Sequence, residues 1–197
     1  MARRMIGALC LLMLLFPARA ENEWEAEPFS GFLSGGTVTV TRSLWADGPL
    51  MPGESRGVLK PEMAFALYCV QAELPGGALT VKRASGYTAE LSSNSAWLRE
   101  NVWRYGLVAG DETEEGLRLR YVGPVHAAAL RALQMDLEAY LIFLRQTGRA
   151  VLRRNGQAVA WIICVPESEA LSFALPEGAA LSVSGDGAGF VVIAIGC

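Results

Sequence analysis

The stretch ETEEGLRLRYVGPVHAAALRALQMDLEAYL, residues 112–141, holds the densest set of groups able to do chemistry. It contains the only histidine of the chain, His126, an acidic run at Glu112, Glu114 and Glu115, and two arginines two positions apart, Arg118 and Arg120. Carboxylates beside an imidazole suit a metal centre or general acid–base work. Arginine instead offers a permanent cation with a forked set of N–H donors, and it cannot ligate a metal. One histidine excludes every zinc site that takes two imidazoles, and no Cys-x-x-Cys or His/Cys cluster exists for a structural zinc. Nucleophilic catalysis fares no better: Ser85-Gly86 lacks the Gly-x-Ser-x-Gly elbow, and His126 has no identifiable serine or cysteine partner. The glycines of GDGAG, residues 185–189, lie between β-prone runs rather than opening a helix, which removes a phosphate loop. The tryptophans Trp24, Trp45, Trp97, Trp103 and Trp161 could line a sugar or peptide groove, but Trp97 and Trp103 fall on an apolar helical stripe that suits a core.

These groups need elements to position them. Leu117 to Val122 alternates strictly, so Leu117, Leu119 and Tyr121 share one face of a strand while Arg118, Arg120 and Val122 share the other. Pro124 then fits the first turn of a helix with His126 near its start. Asp136 caps the next helix, with Leu137, Tyr140, Leu141 and Leu144 as its stripe and Gly148 as its stop. Upstream, Pro61 opens a helix with Met63, Leu67 and Val70 inward. GGALTVKRASGYTAELSS gives a strand, a turn at Ser85-Gly86 and a second extended piece. Asn94 or Ser95 caps a helix with Trp97, Leu98, Val102 and Tyr105 inward, closed by Gly106. GTVTVTRSL alternates as a half-buried strand, while residues 46–59 and the acidic residues 109–115 are expected as loops. From Ala150 strands take over, with a hairpin at Asn155-Gly156 and turns at Pro-Glu-Gly and Gly-Asp-Gly. The fold class expected is α+β: a small antiparallel sheet with packed helices over 37–148, then a hairpin-rich β extension over 149–197.

Residues 1–20 read as a signal peptide: Arg3 and Arg4, an apolar run from Met5 to Phe16 too short to span a bilayer, and a small-x-small site ending at Ala20. The mature chain would start at Glu21, with residues 21–36 acidic, then Gly/Ser-rich, and poorly ordered. Loss of Arg3, Arg4 and Arg19 takes the net charge from −3 to about −6, which argues against nucleic acid and anionic membrane surfaces as partners. Export implies a disulfide-permissive compartment. Cys69 suits a core helix, and Cys164 and Cys197, each ending an apolar run, are the better pair for a bridge.

Taken together, WLRENVWRYGLV (97–108), RYVGPVHAAAL (120–130) and LEAYLIFL (137–144) resemble the C-terminal half of the VanY-type D-alanyl-D-alanine carboxypeptidases, zinc peptidases of the bacterial envelope. Members of that family run W-L-x-E-N-A-x-x-Y-G-F, then E-P-W-H-F-R-Y-V-G-x-x-H-A, then a Leu-Glu-Glu-Tyr-Leu helix. The order and approximate spacing are kept here, and LPEGAALSVSGDGAGFVVIAI is similar to a β extension that some members carry. The resemblance implies a zinc held by two histidines and an aspartate, with a glutamate as general base. Matching residue by residue, Arg118 falls on one zinc histidine, Leu117 on the tryptophan before it, Gly116 on the proline and Glu115 on the general base. VKRASGYTAEL, laid on the family's S-x-H-x-x-G-x-A-x-D segment, puts Arg83 on the other zinc histidine and Glu90 on the aspartate. ASGY also matches the family's S-G-Y-R turn, with the ligand segment deleted. His126 falls on the family's second, non-ligand histidine.

The resemblance therefore implies a secreted pseudopeptidase with no zinc and no other cofactor. Such a protein would act at the envelope by binding peptidoglycan stem peptides or by scaffolding. A peptidase with a non-standard site and a structural partner working through the β extension are the alternatives. Two arrangements stay open for the replaced ligands. Arg83 and Arg118 could form a network with Glu90 and Glu115 in the former metal pocket, offering a cation to a peptide carboxylate, with Arg120 and His126 as further candidate binding residues. Alternatively, Arg118 and Arg120 are the solvated side of an ordinary strand.

Overall fold

The computed structural model describes residues 23–28, 36–39, 48–51, 58–76, 78–92, 96–113, 116–168, 172–175 and 180–196. In chain order these form β1 (Trp24–Pro28), β2 (Gly36–Thr39), α1 (Pro61–Glu73), β3 (Val81–Ser85) and β4 (Thr88–Leu91). Then come α2 (Ala96–Asn101) with a 3₁₀ turn at Val102–Tyr105, β5 (Leu107–Thr113), β6 (Gly116–Tyr121), α3 (Pro124–Leu133) and α4 (Leu137–Thr147). The chain ends in β7 (Arg149–Arg154), β8 (Gln157–Pro166), β9 (Ser172–Leu175), β10 (Ala180–Gly185) and β11 (Phe190–Gly196). The signal segment, Asn94, Ser95, Glu115 and Cys197 lie outside the described residues.

The helices form for local reasons. Pro at the first turn starts α1 and α3, where its missing N–H costs nothing. Asp136 caps α4 by accepting from the Ala139 amide at 2.8 Å, and Gly148, at φ 69°, stops it. Met63, Ala66, Leu67 and Val70 put one face of α1 against the back of a four-stranded antiparallel sheet, order β3-β4-β6-β5. There Leu91, Leu98, Val102, Leu107, Leu117 and Leu119 complete one buried cluster. A second cluster joins α3 and α4, through Ala127, Leu130, Tyr140 and Leu144, to Leu152, Ile162 and Val192 of a five-stranded antiparallel sheet, order β1-β7-β8-β11-β10. β2 pairs with β9 as a separate ribbon.

Three expectations are corrected. Trp24–Pro28 is not loose but pairs antiparallel with β7, because its acidic residues meet an arginine-rich strand. Arg153 Nε donates to Glu27 Oε1 at 2.8 Å, and the Arg154 guanidinium lies 5.4 Å from the Trp24 ring centroid. Residues 107–113, expected in part as an acidic loop, form β5, held by β6 across a register shift between Ala109 and Glu112. Cys164 is a free, buried thiol opposite Val192, and burial pushes its pKa up to about 12, so it is inert as a nucleophile. α3 and α4 pack on the C-terminal strands in one buried cluster.

Candidate functional site

Strand register builds the site. Across the β3–β4 hairpin Arg83 stands opposite Glu90, and across β4–β6 Glu90 stands opposite Arg118. Leu117 and Leu119 are fully buried on the back of the sheet, so alternation turns Arg118 and Arg120 to the front. The three positions on which the resemblance places zinc ligands therefore form one cross-strand row: Arg83, Glu90, Arg118. Arg118 Nη2 donates to Glu90 Oε1 at 3.0 Å. Glu90 is 7% exposed, whereas the Arg118 side chain is 44% exposed. A buried carboxylate thus holds a guanidinium that still presents a face to solvent. Arg83 is exposed at the outer strand of the row.

The exposed face of Arg118 opens into a cleft of about 710 Å³. Thr88, Val108, Gly110 and Arg118 line it from the sheet, Arg99 from α2, and Leu130, Met135 and Glu138 from the helical side. The cleft is cationic on its sheet side and acidic at the start of α4, with small and apolar groups between. A second hollow of about 360 Å³ shares Arg99, Val108, Ala109, Leu130 and Met135 with it and continues to Trp103 and Arg131.

Arg120, expected beside Arg118, does something else. Its Nε and Nη2 donate to the Pro49 carbonyl at 3.1 and 3.0 Å, and Nη2 also donates to the Met51 carbonyl. Burial lowers its pKa below the ordinary arginine value. Ser184 of β10 holds the same turn from the other sheet, accepting the Leu50 amide at 2.9 Å. Arg120 therefore staples a turn rather than solvating a strand, because backbone carbonyls from 70 positions upstream reach it first.

His126 is apart from the row. It is 1% exposed, with Nδ1 and the Tyr140 hydroxyl 2.9 Å apart in a hydrogen bond, and burial pushes its pKa down to about 4. It lies at the wall of a separate hollow of about 350 Å³ with Tyr87 and Tyr121, whose rings stack at 6.0 Å. The imidazole is thus a neutral structural group. Glu115, the position of the family's general base, lies outside the described residues.

Among the described residues no group of three His, Cys, Asp or Glu side chains comes together. The row itself offers two guanidiniums and one carboxylate, and a guanidinium has no lone pair to give a metal. Among the described residues, this row does not offer the two imidazoles and the carboxylate that the resemblance implies for zinc. Arg99, Gly110 and Met135 were not singled out by sequence patterning; the one available signal was Gly110 interrupting a β-prone run, a mark of a bulge or a close approach.

No family model matches the chain. A D-alanyl-D-alanine carboxypeptidase of Enterococcus faecium is 26% identical over 154 residues, covering 72% of this chain and 50% of that protein. The chain thus spans about half the length of the curated relative it matches. Among solved structures, a vancomycin-resistance D,D-dipeptidase, VanXYg, in complex with a D-Ala-D-Ala phosphinate analogue, superposes with a TM-score of 0.46 at 17% identity, covering 73% of this chain and 71% of that one.

Proposed function

We propose, with kinship to the D-alanyl-D-alanine carboxypeptidases as the premise, that this protein is a non-catalytic relative that binds D-alanine-terminated stem peptides at the bacterial envelope. The observation that carries this is the Arg83–Glu90–Arg118 row. A carboxylate persists at the aspartate position, but it now orients a guanidinium instead of a metal ion. A partly exposed guanidinium held by a buried carboxylate is suited to receive a planar carboxylate, to which it can offer paired N–H donors. It has no means of polarising water for attack. Export by the leader at residues 1–20 would place the protein where stem peptides occur. No described helix is long and apolar enough to cross a membrane.

Calorimetric titration with a stem pentapeptide ending in D-alanyl-D-alanine tests the proposal, run beside an assay for released D-alanine. Binding without release is expected, with the affinity falling at least tenfold in the Arg118→Met variant. Stoichiometric zinc in the purified protein together with D-alanine release would sink it.

A further inference from the structure

We propose that the hollow at the start of α3 binds a small α-amino acid, its carboxylate on the helix N-terminus and His126 and its ammonium toward Glu62. The site is separate from the cleft beside Arg118, and the proposal does not rest on stem-peptide binding. Four residues of the helix start, Gly123 to His126, line this hollow of about 350 Å³. That volume lies near the lower end of ordinary ligand sites, which suits a molecule of a few heavy atoms.

The helix start carries no side-chain cap. Gly123 stands at the cap position and Pro124, which has no N–H, follows it. The Gly123 amide bonds the Gly106 carbonyl, and the Ala127 amide bonds the Gly123 carbonyl. The Val125 and His126 amides between them have no acceptor among the described residues. Two such N–H groups at the positive end of a ten-residue helix make a seat for an anionic oxygen. A Cβ built on Gly123 would meet nothing within 4 Å, so glycine leaves the approach to that seat open.

His126 supplies a third donor, and its hydrogen bond fixes which nitrogen carries the proton. Tyr140 is fully buried, and the one described partner of its hydroxyl is His126 Nδ1, at 2.9 Å. A buried hydroxyl without an acceptor is costly, so Tyr140 donates and Nδ1 accepts. The proton of the neutral ring therefore sits on Nε2. Nε2 has no described partner, yet it is not among the sealed, unbonded side-chain atoms. The ring is only 1% exposed, and the hollow is where it meets solvent.

The remaining wall selects what the carboxylate is attached to. Glu62, in the first turn of α1, also lines the hollow and makes no ion pair with a described residue. Burial raises the pKa of the neighbouring Tyr121 hydroxyl, and the Glu62 charge adds to the rise. A bare anion would meet Glu62 as a like charge, whereas an α-ammonium makes Glu62 a partner. Val125, Leu181 and Ala194 add apolar groups to the lining, which suits a short side chain.

The protein has one histidine, so nuclear magnetic resonance of the whole chain, isotope-labelled at histidine nitrogens, reads His126 alone. Before any addition Nε2 should show the shift of a protonated ring nitrogen; an unprotonated Nε2 would overturn the proposal. Glycine and alanine should move that signal saturably, with acetate and ethylammonium binding at least tenfold more weakly. Glu62→Gln should bring glycine down to the affinity of acetate, while Arg118→Met should leave glycine binding unchanged. Acetate or inorganic phosphate binding as tightly as glycine would reveal a plain anion seat and overturn the amino-acid assignment. Loss of glycine binding in Arg118→Met would move the amino acid to the other cleft and overturn it as well. A signal that none of these additions moves would leave the hollow to water and overturn the site.

Discussion

A carboxylate as enclosed as Glu90 is expensive to ionise unless a cation is at hand, and Arg118 is the cation the register supplies. Because Arg118 itself is 44% exposed, water screens the pair, and its net contribution is on the order of 1 kcal/mol. The pair is better understood as a device for holding the guanidinium than as a source of stability. The facing of Arg118 was legible from the sequence, because alternation turned it away from Leu117 and Leu119, whereas Arg83 and Glu90 were reached only through the resemblance and their cross-strand pairing came from the structure. The fate of Arg120 was not legible: alternation puts it beside Arg118, where it does line the cleft, but only the structure shows its guanidinium donating to the turn at 48–51. His126 gives a pH prediction. Its folded pKa, about 4, lies below the ordinary 6.5, so the unfolded chain takes up a proton first as pH falls. The stability from keeping it neutral is complete above pH 6.5 and is lost as pH drops toward 4, by on the order of 3 kcal/mol for a shift of this size. Thermal melts should show Tm falling across that window, and a His126→Gln variant should fall less over the same range. Parallel curves for the two proteins would remove the histidine from the account.

At the scale of elements, caps and strict alternation were readable, and α1, α3, α4, β6 and the β7–β8 hairpin follow from them. β1 and β5 were not, because both are acidic and their partners lie elsewhere: the arginines of β7 for one, the ladder with β6 for the other. Tertiary pairing overrode a composition that suggests a loop. The turn at 48–51 shows the same effect. It is pinned by Arg120 from the four-stranded sheet and by Ser184 from the five-stranded sheet, and Leu50 at its tip is fully buried. Removing the Ser184 hydroxyl leaves the Leu50 amide without its acceptor in a buried place, a loss of about 1–3 kcal/mol. Gly48 is tighter still: an added Cβ would lie 2.3 Å from Ser184 Oγ and 2.6 Å from its Cα, so backbone must move. Urea denaturation should find Ser184→Ala destabilised by about 1–2 kcal/mol and Gly48→Ala by more. Two neutral variants would mean that the turn does not join the sheets.

For the molecule as a whole, the consequential feature is how closely the β extension packs on the helices. Sequence patterning marks a change at Ala150 because helices give way to strands, but a change of element type is not a change of core. Leu130 of α3 and Tyr140, Leu141 and Leu144 of α4 pack in one cluster with Leu152 and Ile162 of the C-terminal hairpin. Arg145 of α4 bonds Asp186 at 2.7 Å, and the fully enclosed Asp186 carboxylate also accepts the Ala188 and Phe190 amides at 2.8 and 3.0 Å. The β10–β11 turn is thereby tied to the helix that forms one side of the cleft. Even the N-terminal strand β1 depends on β7 for its ladder. A chain cut after residue 148 would leave the inner faces of α3 and α4 in water, and with them the helical wall of the cleft beside Arg118. Burial of several large side chains is worth roughly 2 kcal/mol apiece, together comparable to the whole stability of a domain this size. The expected outcome is that residues 37–148 expressed alone bind a hydrophobic dye and melt without a cooperative transition. The longer protein should unfold in one step with coincident far-ultraviolet circular dichroism and tryptophan fluorescence curves. A cooperative melt from the shortened chain, with peptide affinity intact, would show that the cleft stands without its β sheet.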